Sequence, residues 1–256
     1  MIAAVLRVAL WIGAIDGLAG LAVLGFLYTP ESNLPMLVLS ALLVLLAAAL
    51  LLLSSTSGAA ALVQRIEPRT ALGTGYVLTL DALLGAWYPA RRIRLFNVGT
   101  SGHTVRDLAA RWQTDVIDLK PDWLSVMIGA NDVWRQFDRV TQPEKSVLPA
   151  EYEQTYDALL ARTVPLLKGG LILITPFFLE ARTNDPMRAR MDEYGAIVKK
   201  LAARHKAILV DSQAAFDAVL KDLPSAMINW DRVHLNHIGA AVLARAVLSA
   251  VDFEWA

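Results

Sequence analysis

The sequence predicts an α/β fold, a three-layer α/β/α sandwich around a parallel sheet, preceded by an apolar helical region at the N-terminus. Two observations predict the sandwich. Short apolar runs alternate with longer segments whose apolar residues recur at i, i+3, i+4 and i+7, and that alternation describes βαβ units. Glycine-bearing segments directly follow two of the strand-like runs, where parallel sheets carry their ligand-binding loops. A third observation separates the first quarter of the chain: of 48 charged residues, only Arg7, Asp16 and Glu31 precede Gln64. We therefore divide the chain into residues 1–58, an apolar region, and residues 59–256, the sandwich.

The elements of the second part follow in order. Residues 75–88 (GYVLTLDALLGAWY) have helical spacing and stop at Pro89, which cannot continue a helix. Residues 92–96 (RIRLF) alternate and predict a strand. In residues 104–112, Val105, Leu108, Ala109 and Trp112 form one face of an amphipathic helix. Residues 123–128 (WLSVMI) predict a buried strand. Residues 151–167 predict a helix ended by Gly169 and Gly170, and residues 171–175 (LILIT) a strand. Met187, Met191, Tyr194, Val198 and Leu201 mark another helix. Residues 207–210 predict a strand and residues 239–251 a closing helix.

Composition bounds the function. Lys+Arg and Asp+Glu are both 24, so nothing suggests an electrostatic nucleic-acid binder. There is no cysteine, which removes disulfides, thiolate metal sites and a cysteine nucleophile. The mean hydropathy of +0.44 is mostly a property of the first quarter.

Within residues 1–58, residues 36–53 are apolar except for Ser40 and are long enough to span a bilayer. Residues 8–28 are a second apolar segment, interrupted by Asp16, and residues 29–33 (TPESN) read as the turn between them. We expect a membrane helical hairpin. Arg7 precedes it and Arg65 and Arg69 follow it, so the positive-inside rule puts both ends, and the second domain, on the cytoplasmic side.

The chemistry concentrates late in the chain, at Asp231-Arg-Val-His234. An imidazole is the natural general base near neutral pH, and a carboxylate beside it fixes its tautomer and stabilises the imidazolium. Residues 97–102 (NVGTSG) form a glycine-bearing loop after one predicted strand, and glycine lets backbone N–H groups approach a ligand closely. Residues 129–132 (GAND) follow the next strand and offer an amide donor. A base, its partner and two oxyanion donors make an ester-hydrolysis set that needs only a nucleophile.

These three blocks, NVGTSG, GAND and DRVH in that order, resemble the SGNH hydrolases, also called GDSL-like lipases and acylhydrolases. The resemblance covers about residues 72–251 and extends to VRDLAARW and LKPDWLSVMIGANDVW, which look like the esterase branch. It implies a flavodoxin-like three-layer fold. It also implies His234 as base, Asp231 as its partner, and Gly102 N–H and the Asn131 side chain as oxyanion donors. It implies no metal and no organic cofactor. The expected substrate is a small carboxylic ester with a short acyl group, and the branch resemblance suggests acetyl groups on carbohydrates.

One block departs from the pattern. The family's first block presents its serine nucleophile in Gly-Asp-Ser, and this chain has no Gly-Asp-Ser. No serine lies between Ser57 and Ser101, which leaves Ser54, Ser55 and Ser57 as the candidate serines. Ser54, followed by Ser-Thr, ranks first and Ser57 is the alternative. Residues 34–53 can be a membrane span or the strand that presents this serine, but not comfortably both. The competing expectation is an inactive, membrane-tethered domain of the same fold, used for binding.

Other residues carry plainer expectations. Asp231, His234 and His237 have metal-ligand spacing, but no fourth ligand is in view, and we assign no metal. His103 could line the pocket but is expected first as a solvent-facing cap beside Thr104, and His205 is expected as a surface residue. Trp134 and Phe137 could wall the substrate site or pack in the core.

Overall fold

A computed structural model describes residues 72–255. Residues 1–58, with the expected membrane hairpin, and both nucleophile candidates, Ser54 and Ser57, lie outside the described residues. Among the described residues, no helix is long and apolar enough to cross a membrane.

The sheet is built from β1 (Trp123–Met127), β2 (Gly170–Ile174) and β3 (Ile208–Val210), all parallel and in that spatial order. β2 is central, and Leu171 to Ile174 are buried. That explains an unbroken LILI run, since a parallel strand covered by helices on both faces needs apolar residues at both parities. Leu171 and Leu173 point into one core, and Ile172 and Ile174 into the other.

The first core is closed by α2 (Val105–Trp112), α3 (Ala130–Asp138), α4 (Pro149–Thr163) and α5 (Pro186–His205). The second is closed by α1 (Tyr76–Trp87), α6 (Ser212–Val219) and α7 (His237–Ala250). Two helical layers flank one parallel sheet, as the sequence predicts. Large buried rings fill the first core: Trp112, Tyr152, Tyr156 and Tyr194 are all at most 1% exposed. Each large ring removes enough apolar surface from water to contribute on the order of 2–3 kcal/mol. Trp112 also donates its indole N–H to Thr163 Oγ1 at 2.8 Å.

Two expectations change, and one helix appears where none was assigned. Residues 92–96 form no strand with any described neighbour. Their side chains do alternate, with Ile93 and Leu95 half-buried and Arg92, Arg94 and Phe96 exposed. Alternation specifies an extended backbone, but a ladder also needs a partner edge. Residues 130–138, to which the sequence assigns no element, form α3, which places Asn131 and Asp132 in a helical first turn. The expected helix over 151–167 begins earlier, at Pro149, and ends at Thr163, followed by a 3-10 turn over Val164–Leu166.

Candidate active site

The DRVH segment sits in a closed loop. Asn229 and Leu235 form an isolated antiparallel bridge, and Asn236 N–H donates to the Ile228 carbonyl at 3.0 Å. The Asn236 side chain caps α7 by accepting from the Ile238 and Gly239 amides. Gly239 permits this closure, because a Cβ there would lie 2.5 Å from the Ile228 carbonyl oxygen.

Inside the loop, Asp231 organises the turn. Its Oδ1 accepts the Val233 and His234 amides at 3.1 and 2.7 Å, and its Oδ2 meets His234 Nδ1 at 2.6 Å. Arg232 adopts the left-handed conformation (φ 72°), which costs on the order of 1 kcal/mol for a residue with a side chain. Four contacts offset that cost. Its N–H donates to Asn229 Oδ1, its carbonyl accepts from Leu179 N–H at 2.9 Å, and its guanidinium pairs with Glu180 at 3.2 Å while resting over the Phe178 ring. The segment after β2 therefore clamps the loop.

Burial pushes the Asp231 carboxyl up, but hydrogen bonds from the His234 amide, the His234 ring and the Val233 amide outweigh it and hold the group below the usual carboxylate range. An ionised Asp231 accepts from Nδ1–H, which leaves Nε2 as the basic nitrogen of a neutral His234. Among the described residues Nε2 has no hydrogen-bond partner. The imidazole stacks on Trp230, with centroids 5.5 Å apart and planes 5° apart.

Gly102 and Asn131 stand across a cavity of about 320 Å³, lined by Ser101, Gly102, Asn131, Trp134, Val233 and His234, with Ala130 and Arg135 completing it. Gly102 has φ 80°, a conformation that glycine adopts without strain. Asn131 Nδ2 donates one hydrogen to the His103 carbonyl at 3.1 Å, and its second has no acceptor among the described residues. Gly129 begins this turn with φ 125°, and a Cβ there would lie 3.0 Å from Tyr152 Oη and 3.1 Å from Pro176 Cγ.

His234, Asp231, Gly102 and Asn131 are thus brought to one place. Trp134 lines the cavity while packing on the first core, whereas Phe137 is 40% exposed and belongs to neither. Two expectations for histidines are overturned. His103 is partly buried, with Nδ1 enclosed and unpaired among the described residues, so it is not a solvent-facing residue. His205 turns inward, its side chain 11% exposed, and pairs with Asp157 at 2.6 Å. His237 is the exposed first residue of α7. Sequence reasoning missed Arg135, whose only signal was its place one turn after Asn131. It also missed the burial of Asp132, whose partner, the Val105 amide, is distant in sequence.

The GDSL-like Lipase/Acylhydrolase family model matches residues 56–242, so of the three N-terminal serines only Ser57 falls inside the match. The acetylxylan esterase of Geobacillus stearothermophilus is 54% identical over 185 residues, which is 72% of this chain and 84% of that one. Its crystal structure superposes with a TM-score of 0.71 over the same shares. An α/β hydrolase enzyme from the metagenome of Lake Arreo, Spain, is 52% identical and also superposes at 0.71, covering 72% of this chain and 84% of its own. In the Geobacillus esterase, substitutions described as catalytic mutants replace a serine, an aspartate and a histidine, the last two three positions apart. The chain belongs to the GDSL-like lipase/acylhydrolase family and is a carboxylic ester hydrolase of the SGNH type.

Proposed function

We propose that the protein hydrolyses short-chain carboxylic esters, with acetyl groups on a carbohydrate as the substrate class, through an acyl-enzyme. The observation that carries this reading is the Asp231–His234 pair facing Gly102 and Asn131 across one small cavity. The 54% identity to an acetylxylan esterase supports the acetyl and carbohydrate parts.

In this reading His234 Nε2 removes the proton of a serine hydroxyl as the oxygen attacks the ester carbonyl. Asp231 stabilises the imidazolium that results. Negative charge then moves onto the carbonyl oxygen, where the Gly102 N–H and the second hydrogen of Asn131 Nδ2 stabilise it. His234 returns the proton to the leaving alcohol, and the acyl-serine forms. The same nitrogen then deprotonates a water molecule, which releases the carboxylic acid and the free serine. Ser54 is the nucleophile of this scheme, with Ser57 as the alternative. Residues 1–58 support a membrane tether, with the catalytic domain on the cytoplasmic side.

The test compares acetyl with longer acyl esters of 4-nitrophenol, and then measures acetate release from acetylated xylo-oligosaccharides, with His234→Ala as control. Acetate release that the substitution abolishes supports the reading. A folded protein that releases none contradicts it and favours an inactive binding domain.

A further inference from the structure

Asp132 is fully buried beside the cavity, and the scheme above gives it no task. Its Oδ1 accepts the Val105 N–H at 2.9 Å, although the two residues are 27 positions apart. Its Oδ2 is enclosed with no partner among the described residues. A buried carboxylate held by a single amide is costly and needs an explanation. The neighbouring side chain supplies one. Asn131 donates to the His103 carbonyl, so two consecutive residues in the first turn of α3 fasten both ends of the 103–105 backbone. That backbone follows Gly102 and enters α2 through a capping box, in which Asp107 Oδ2 accepts the Thr104 amide at 2.8 Å and the Thr104 hydroxyl at 2.7 Å.

We propose that Asp132 is a positioning residue, which fixes the distance between the Gly102 amide and the Asn131 side chain by tying the start of α2 to the start of α3. The inference rests on the ester-hydrolase reading for what the two donors do. The fastening itself stands on the geometry of residues 102–105 and 131–132.

Two oxyanion donors on different elements act together only if their separation is held to a fraction of an ångström. Asn131 alone cannot hold it, since one bond to His103 leaves the loop free to pivot. The amide of Val105 supplies the second point. Asparagine at 132 retains an acceptor for that amide, whereas alanine removes it.

The experiment uses the full chain and two readouts. Amide hydrogen exchange at residues 102–105 is compared among the parent, Asp132→Ala and Asp132→Asn, and kcat and KM are measured on 4-nitrophenyl acetate. In the alanine variant, exchange is expected to rise at 102–105 while β2 and α7 keep their protection. Its kcat is expected to fall on the order of 10–100-fold with KM nearly unchanged, as misplacement of catalytic groups does. Asp132→Asn is expected to recover most of both. Combined with Asn131→Ala, the alanine substitution is expected to lose less than the product of the two single losses, because both act on one oxyanion. Unchanged exchange at 102–105 overturns the proposal, and so does a loosened loop with kcat intact. If the parent chain has no esterase activity, the ester-hydrolase reading fails and exchange alone decides the fastening.

Discussion

Asp231 holds His234 at two points, its Oδ2 on the ring Nδ1 at 2.6 Å and its Oδ1 on the backbone amide at 2.7 Å. One carboxylate therefore sets both the position of the residue and the direction of its ring. Asp231→Asn keeps the shape and removes the charge. We expect kcat on 4-nitrophenyl acetate to fall on the order of 10³–10⁴-fold, as when the carboxylate of a triad is neutralised. Circular dichroism should show the fold retained.

The two buried or partly buried aspartates of the site give opposite pH dependences. Asp231 is held below its unfolded value, so its contribution to stability is present above the ordinary carboxylate range and is lost as pH falls through the folded value. Asp132 is pushed up to about 7, first by burial and then by the charge of Asp107, against the Val105 amide and Arg106. Tyr152 on α4 and Tyr194 on α5 also face it. A raised carboxyl stabilises the fold below its unfolded value and loses that contribution as pH rises toward 7. Urea midpoints at pH 3, 5, 6 and 8 check this. Asp132→Asn should gain on the parent protein as pH rises, and the stability of Asp231→Asn should change less than the parent's between pH 6 and pH 3.

Gly129 is required by conformation and by space together. Gly129→Ala places a methyl group 3.0 Å from Tyr152 Oη in a backbone that disfavours any Cβ. Denaturant unfolding should show a loss of about 2 kcal/mol or more.

Tyr156 is fully buried, and its hydroxyl has no partner among the described residues. Tyr156→Phe removes an enclosed polar group at almost constant volume. The variant should unfold at equal or higher denaturant concentration, with a gain of up to about 1 kcal/mol. A loss of more than about 1 kcal/mol would mean that the hydroxyl is bonded.

Much of this organisation is legible in the sequence. The LILIT run reads as a strand, and the spacing of Met191, Tyr194, Val198 and Leu201 marked the buried side of α5. The carboxylate and imidazole of DRVH proved to be in contact because three residues of turn, with Arg232 in the left-handed region, bring them together. Other features left no such trace. The first turn of α3 carries Asn131 and Asp132, whose side chains favour turns as readily as a helical first turn. α6 is only eight residues long, too short for periodicity to stand out. Nothing local marks Asp132 as buried, because its amide partner lies 27 positions earlier. Residues 92–96 carry the alternation of a strand, and alternation says nothing about whether a neighbour is in place.

The central claim is that His234 serves a serine nucleophile near residues 54–57. The most direct test is to react the full-length protein with a fluorophosphonate, digest it and map the modified peptide, with His234→Ala in parallel. Stoichiometric labelling is expected at Ser54, or at Ser57 as the alternative, and it should be lost in the His234 variant. Absence of labelling in a folded protein, or labelling that persists without His234, would contradict it.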